Sequence, residues 1–567
     1  MNAPDRPPMI ERSTTVRFLR WLFSWRTLRR MLIGLGWLAV LGALFHGVEN
    51  WRGRRVWNQY RQALEARGEP LDFKAVIPKP VPDDQNFAAT PLVKSWFDPK
   101  REEQGGDCIN DNYTRADVRL SRPKLKGVPA SRSFLDLVAW GQALTAVRSP
   151  GADREWKERV EASMQAFEPS AQPADSAAPA ADLRIPPSGR LDAASRAQAA
   201  PAVLEGLKTN QAMFAELRLA SQRPYSRYPV NYDVGTPFAI ELPHLKMVRG
   251  ILKRLQLKAC AELALGQSDA ALEDQRLLFD LADSIKGEPF LISHLVRLAM
   301  LNLALQPVWE GLAEHRWSEA QLQEIQNRLQ QYRVLEEVKT ALITERAGAI
   351  STIELVRQKG PWYLASLGSP EPASASGASV LGRLAAAVAI PQGWYSQEEL
   401  TYARSFDMLL AVGLGTTNSR VSPRQVKEDI LAFEETESRG GFAGTLLGKA
   451  LRHRVMVSLL LPALGKVTAK TAAAQTAVNQ TAIACALERY RLANGHFPER
   501  LDALAPQFIS LLPNDVLTGE PYKYRRGDGG QFVLYSIGWD EKDDGGVAGE
   551  TMFDERKGDW VWECPAR

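Results

Sequence analysis

The residues best suited to chemistry lie close to the C-terminus. Residues 539–560 read WDEKDDGGVAGETMFDERKGDW, and residues 540–567 hold nine Asp+Glu against four Lys+Arg. Carboxylate oxygens at flexible spacing suit a hard cation, which takes oxygen ligands in adaptable geometry. The same composition also describes a solvated acidic loop. Elsewhere the reactive residues are sparse. Four cysteines stand at 108, 260, 485 and 564. An extracytoplasmic location permits a bond between Cys485 and Cys564, whereas Cys260, in an apolar helix, packs as a small hydrophobe. The six histidines (46, 244, 294, 315, 453 and 496) show no metal-ligand spacing. His294, within LISHLVRLAM, is expected in the core. Glu434, Glu435 and Glu437 are expected on an exposed helix face. No Walker loop, GxGxxG, HExxH, CxxC or GxSxG is present. Catalytic residues dispersed along the chain stay open, because chemistry belongs to sites rather than folds.

The element that must position all of this lies at the other end. Met31 to Val48 (MLIGLGWLAVLGALFHGV) is eighteen residues without a formal charge. At roughly 1.5 Å per residue it lies at the lower edge of what spans a hydrocarbon core of about 30 Å. Trp21, Trp25 and Trp51 flank it, as interfacial aromatics do. Seven arginines precede the span and five occur in residues 52–67, so the positive-inside rule places the N-terminus in the cytoplasm by a small margin. No A-x-A pattern follows the run, which favours an uncleaved anchor over a cleaved signal; a buried or peripheral helix is the third reading. The basic and aromatic residues Arg17, Trp21, Trp25, Arg26, Arg29 and Arg30 fit contacts to anionic lipid rather than nucleic acid. Two later apolar runs, Leu384–Ile390 and Val455–Leu464, are too short to span and are expected as buried helix.

Length, 567 residues, gives a prior of about three or four domains. The mean hydropathy of −0.25 excludes a many-pass membrane protein. The net charge of +4 excludes a globally basic nucleic-acid binder. The first 61 residues carry eleven arginines and three acids, so the remainder is weakly acidic. The expected organisation is a basic cytoplasmic tail (1–30), the transmembrane anchor (31–48) and an N-terminal extracytoplasmic region (49–167). An Ala/Pro/Ser-rich linker (168–203), a helical domain (204–365), a second linker (366–380) and a helical continuation (381–454) follow, then a C-terminal domain (455–567). Trp51–Arg67 reads as an amphipathic helix, and Ser133 as the N-cap of a helix within 131–148. In the helical domain Leu245, Val248, Leu252, Leu255 and Ala259 form one apolar face. Gly266 ends that helix, Ser268 caps the next, and Ser318 with Gln321 has capping-box spacing. The stretch 259–272 resembles the turn of a tetratricopeptide-type repeat, with no clean second copy. A helical hairpin array or bundle is expected.

The C-terminal domain has a distinct pattern. A short apolar run reaches Leu464 and a long Ala/Thr/Gln helix follows. Gly495 and Pro498 end it. Two strand-like segments, Tyr522–Arg525 and Phe532–Ser536, flank a Gly-rich turn. Asn494, Gly495, Phe497, Pro498, Asp515, Gly519, Pro521, Tyr522, Leu534, Tyr535, Ser536 and Gly538 agree in order and spacing with the globular domain of type II secretion major pseudopilins. The last 75–95 residues therefore resemble that family. The resemblance implies a helix packed on a small antiparallel sheet and a structural calcium ion in the acidic loop. Its carried-over ligands are Asp540, Asp543, Asp544 and Asp559, although Glu541 stands where the family has Gly. A pseudopilin starts with a processing site and its apolar helix; here the module is at the far end, which argues against assembly into a pilus.

The expected fold class is mainly α with a small C-terminal α+β domain and a single N-terminal transmembrane helix. The expected function is a bacterial single-pass membrane protein of the inner membrane with its bulk periplasmic or extracytoplasmic. It would act as an interaction or scaffold protein contacting the lipid bilayer and other envelope proteins, linked to secretion by resemblance. The alternative is a membrane-tethered hydrolase with its site in the helical region.

Overall fold

The computed structural model describes Trp21, residues 24–98, 112–120, 132–148, 192–234, 236–360, 363, 390–413, 420–428, 455–527 and 530–563. The 1–20 tail, residues 149–191, the 366–380 linker, Glu434, Glu435, Glu437, and Cys108 and Cys564 lie outside the described residues, as do 384–389 of the first short apolar run. The protein is mainly helical, with a small three-stranded sheet at its C-terminal end and a long apolar helix at its N-terminal end.

That first helix, α1 (Trp25–Ala66), is continuous. Ser24 caps it, accepting the Thr27 amide at 3.3 Å. The apolar anchor and the amphipathic stretch expected after it are one rod of 42 residues, because nothing between Val48 and Trp51 breaks a helix. Gly68, at φ +72°, follows its end. No residue of the uncharged stretch within it is buried. Single turns and extended backbone then lead to α2 (Asn112–Leu120) and α3 (Leu137–Val147). The N-cap of α3 is Asp136, which accepts the Ala139 amide at 2.8 Å, and not the expected Ser133.

The Ala/Pro/Ser-rich linker ends earlier than its composition suggests. Residues 193–206 form α4 (Ala193–Gly206), capped by Asp192 and carrying Pro201 inside it. Alanine is the best helix former, and an Asp cap supplies the start. Arg196 is fully buried there and pairs with Glu310 and Glu314. The antiparallel helices expected next are present: α5 (Gln211–Ser221), α6 (Pro243–Ala264), α7 (Ser268–Asp283), α8 (Leu291–Ala313), α9 (Glu319–Leu329) and α10 (Val334–Lys359). Gly266 turns α6 into α7 at φ +74°. Gln267 occupies the N-cap of α7 and makes no side-chain cap, so Ser268 starts the helix instead of capping it. The capping box of Ser318 and Gln321 is complete. α8 is also long and apolar, but 67% of its apolar window is buried, which makes it a core helix.

Beyond lie α11 (Gln392–Gly413) and α12 (Val455–Asn494). α12 is a single helix of 40 residues, unbroken at Pro462. It packs against α8, α9, α10 and α11, and from Val467 to Arg489 it is buried on nearly every face. One hydrophobic cluster therefore runs from Phe73 and Trp96 through Leu252, Leu278 and Leu301 to Ala484, Leu534 and Trp562. The sheet is β1 (Lys523–Gly527), β2 (Gln531–Ser536) and β3 (Trp560–Glu563), antiparallel throughout in the order β1-β2-β3. Phe532, Leu534 and Ser536 turn inward, as strand alternation requires. β3 was not foreseen; it follows the acidic loop and has only four residues.

Candidate functional site

The acidic loop hangs between β2 and β3. Gly538 opens it at φ +73°, where a Cβ would lie 2.4 Å from the Gly558 carbonyl oxygen, so the two ends of the loop touch backbone to backbone. Asp559 sits at its root and is 1% exposed. Its carboxylate accepts the amides of Asp544 (3.3 Å) and Gly546 (2.6 Å), bracing the loop from inside. Burial raises the pKa of this carboxyl, the two amide bonds lower it, and the charges of Asp543 and Asp544 raise it further. Asp543 accepts the Tyr535 hydroxyl (3.1 Å) and the Gly545 amide (3.0 Å), with Lys523 Nζ at 3.8 Å. Asp540 accepts the Lys542 amide (3.2 Å). Trp539 stacks on Trp560 beneath, at 6.2 Å.

Of the four carried-over aspartates, then, Asp543, Asp544 and Asp559 gather at one place and Asp540 turns to its own strand of loop. Among the described residues, no three His, Cys, Asp or Glu side chains are disposed to hold a metal ion. The carboxylates of Asp540, Asp543 and Asp559 accept backbone amides, and that of Asp543 also meets a tyrosine and a lysine. As arranged they hold the loop closed.

Besides the Arg196–Glu310–Glu314 and Lys258–Glu262–Asp274 groups, three further buried polar clusters stand out among the described residues. In the first, Glu288 accepts from Ser293 Oγ with one oxygen and meets His244 Nε2 with the other. The types are those of a hydrolase triad, but the carboxylate stands between serine and histidine. A nucleophile needs the base in contact with its own hydroxyl. His244 is fully buried and stacked on Tyr228 at 4.2 Å. The second cluster joins Arg297 to Asp283 and Glu337, and Arg328 to Asp280 and Asp283, across α7, α8, α9 and α10. His294 beside it is buried, as expected for a core histidine, and burial lowers its pKa to about 4.

The third cluster lies where α10 and α11 meet α1. Arg346, fully buried, bonds Asp407 at 3.0 Å and also Glu69. Tyr60 donates to the same Asp407 at 2.6 Å. One level nearer the span, Glu399 is 3% exposed. Burial first, and then the neighbouring Glu354, pushes its carboxyl up to about 8 against the opposing pull of Arg357 and Arg61. Burial alone pushes Glu345 up to about 7. The Tyr402 hydroxyl is buried there without a hydrogen-bond partner.

Sequence reasoning missed these clusters, because partners such as Glu69 and Arg346 are 277 positions apart. The available signal was a charge at a core-facing position of a helical repeat, as at Arg297 and Arg346. Cys485 is a buried thiol in α12, while its expected partner Cys564 lies outside the described residues, and so does the bond. An open groove of about 280 Å³ runs between α7 and α9 over Leu272, Phe279 and Ile325, spanned by the Arg276–Glu324 ion pair. No protein family, no curated protein and no solved structure matches this chain.

Proposed function

We propose that this chain is a single-pass protein of the bacterial inner membrane, with a short cytoplasmic tail and an extracytoplasmic body that serves as an interaction or scaffold platform. The observation that carries this reading is the eighteen-residue uncharged stretch of α1, with no buried residue and continuous with a helix that packs into the body. An apolar surface of that length has no stable place in water. The balance of flanking arginines supports the orientation. The body itself is braced by buried, paired charges on many helices, which suits a rigid platform. The link to secretion machinery rests on the C-terminal resemblance. Protease added to spheroplasts tests the topology: the bulk of the chain should be digested, and full protection would overturn it. Crosslinking in intact cells followed by purification tests the platform role. Recovery of a stable envelope partner is expected; none recovered would turn attention to the tethered-hydrolase reading.

A further inference from the structure

The seam between anchor and body does not stop where the apolar span stops. From Gly42 onward, positions of α1 with reduced exposure include Gly42, His46, Glu49, Gly53, Trp57, Tyr60 and Leu64, three or four apart on one face of the helix, with Asn50 and Val56 beside them. Opposite this face stands α11, which runs parallel to α1. Trp394 meets Phe45 edge-on at 6.4 Å. The Gly393 amide donates to Asn50 at 2.7 Å and the Gln397 amide to Glu49 at 2.9 Å. Higher up, Leu400 and Ala403 cluster with Trp57. A Cβ on Gly53 would lie 2.2 Å from the Gly393 carbonyl oxygen, and one on Gly393 would lie 2.1 Å from that of Glu49. The two backbones are in contact, and neither helix has room to shift.

Phe45 belongs to the span, and Val48 ends it. At about 1.5 Å per residue, Phe45 lies roughly 4.5 Å inside that end. Its partner Trp394 is therefore held at the depth where tryptophans sit in membrane proteins, between acyl chains and headgroups. Just above this level Arg52, Arg54 and Arg55 are exposed, with the Arg55 guanidinium 5.2 Å from the Trp51 ring. Arginines at that height face anionic headgroups.

We propose that the start of α11, around Trp394, is a second lipid-contacting surface. The body is seated on the bilayer with Trp394 in the headgroup layer and the three arginines against lipid phosphates; it is not held away on a stalk. This rests on the reading of α1 as a membrane anchor.

The test uses the full chain with Cys108 and Cys564 replaced by Ser, in vesicles of phosphatidylethanolamine and phosphatidylglycerol. Spin labels are placed singly through Leu38→Cys in the span, Trp394→Cys, and Leu511→Cys on the exposed far end. Collision with oxygen and with a water-soluble nickel chelate reports depth. The label at 394 should be several-fold less open to nickel than that at 511, with a depth between those at 38 and 511. Equal nickel access at 394 and 511, with 38 still in the acyl chains, overturns the inference. Nickel access at 38 as well removes the anchor reading, and this inference with it. A second measurement guards against disruption by the cysteine. Lipids brominated near the headgroup should quench the tryptophan emission of the unaltered chain more than that of Trp394→Phe; equal quenching also overturns the proposal.

Discussion

α1 and α12 are nearly equal in length, 42 and 40 residues, yet one is exposed along its apolar half and the other is enclosed by protein. In the apolar half of α1, Leu, Ile, Trp, Phe and Val outnumber the glycines and alanines, and these large side chains stand out into the surroundings. Between Val467 and Arg489, α12 is mostly Ala and Thr, with Gln475 and Gln480 among them. Small side chains let neighbouring helices approach closely. Two of the threonines satisfy their own hydroxyls by bonding back one turn, Thr471 to the Val467 carbonyl at 2.8 Å and Thr481 to that of Ala477 at 2.7 Å. The glutamines serve other elements: Gln475 accepts the Val334 amide at 2.9 Å and Gln480 donates to the Trp560 carbonyl at 2.7 Å. Side-chain volume and charge, with length held equal, leave the apolar half of one rod exposed and put the other at the centre of the protein.

The contrast can be broken at either rod. The largest effect is expected at the joint below α1. Arg346→Ala leaves Glu69 and Asp407 without their buried cation and should cost about 3–5 kcal/mol, read as a lower midpoint in urea. Removing charge-free character from the span comes next. Leu38→Arg adds about 2.5–3.5 kcal/mol to insertion, so the chain should move from the carbonate-washed membrane pellet to the supernatant.

At α12 the test is volume. Ala477 is 1% exposed, and Ala477→Leu should destabilise by about 1–3 kcal/mol through overpacking; a neutral result would mean that the helix is less tightly enclosed than described.

Glu399 gives a smaller, pH-dependent effect. An unfolded glutamate releases its proton near pH ~4.3, whereas the folded carboxyl keeps its proton to about pH 8. The folded state therefore binds the proton more tightly, and stability should fall as pH rises through that window and level off above it. Glu399→Gln should flatten this slope, raising the melting temperature at pH 8 and changing it little at pH 4; parallel pH curves for the two proteins would refute the assignment. The smallest expected effect is that of calcium. We propose that the ion, if bound, draws Asp543 and Asp544 towards Asp559 and raises the melting temperature of the full chain modestly. No response at millimolar calcium would leave the loop braced by its amides alone. The full chain is required, because a fragment starting near residue 450 would expose the faces that α12 buries against α8, α9, α10 and α11.

These differences also explain how much could be read from the chain. The span was legible because eighteen uncharged residues contrast with arginines on both sides. Helix ends at Gly266, Ser318 and Gly495 were legible because capping is local. The hairpin of β1 and β2 was legible from alternation and its Gly-rich turn. The central place of α12 was not, because an Ala/Thr helix buried all round has no polar face to mark which side is inside. The end of the linker was misjudged because alanine is common both to low-complexity segments and to helices, and only the partners of Arg196 decide between them. In the acidic loop, types and order were visible, but the backbone amides that claim Asp559 come from the folded loop itself.

The unbroken passage of α1 from apolar span to body makes it a lever. About 18 of its residues lie beyond Val48, some 27 Å of rigid rod at about 1.5 Å per residue. A tilt of about 20°, ordinary for a helix adapting to bilayer thickness, would swing the far end of that rod sideways by roughly 9 Å. With the glycine contact and the Arg346 knot locking α11 and α10 to the rod, the body would turn with it. The thickness of the surrounding membrane would then set the angle at which the platform faces whatever it meets.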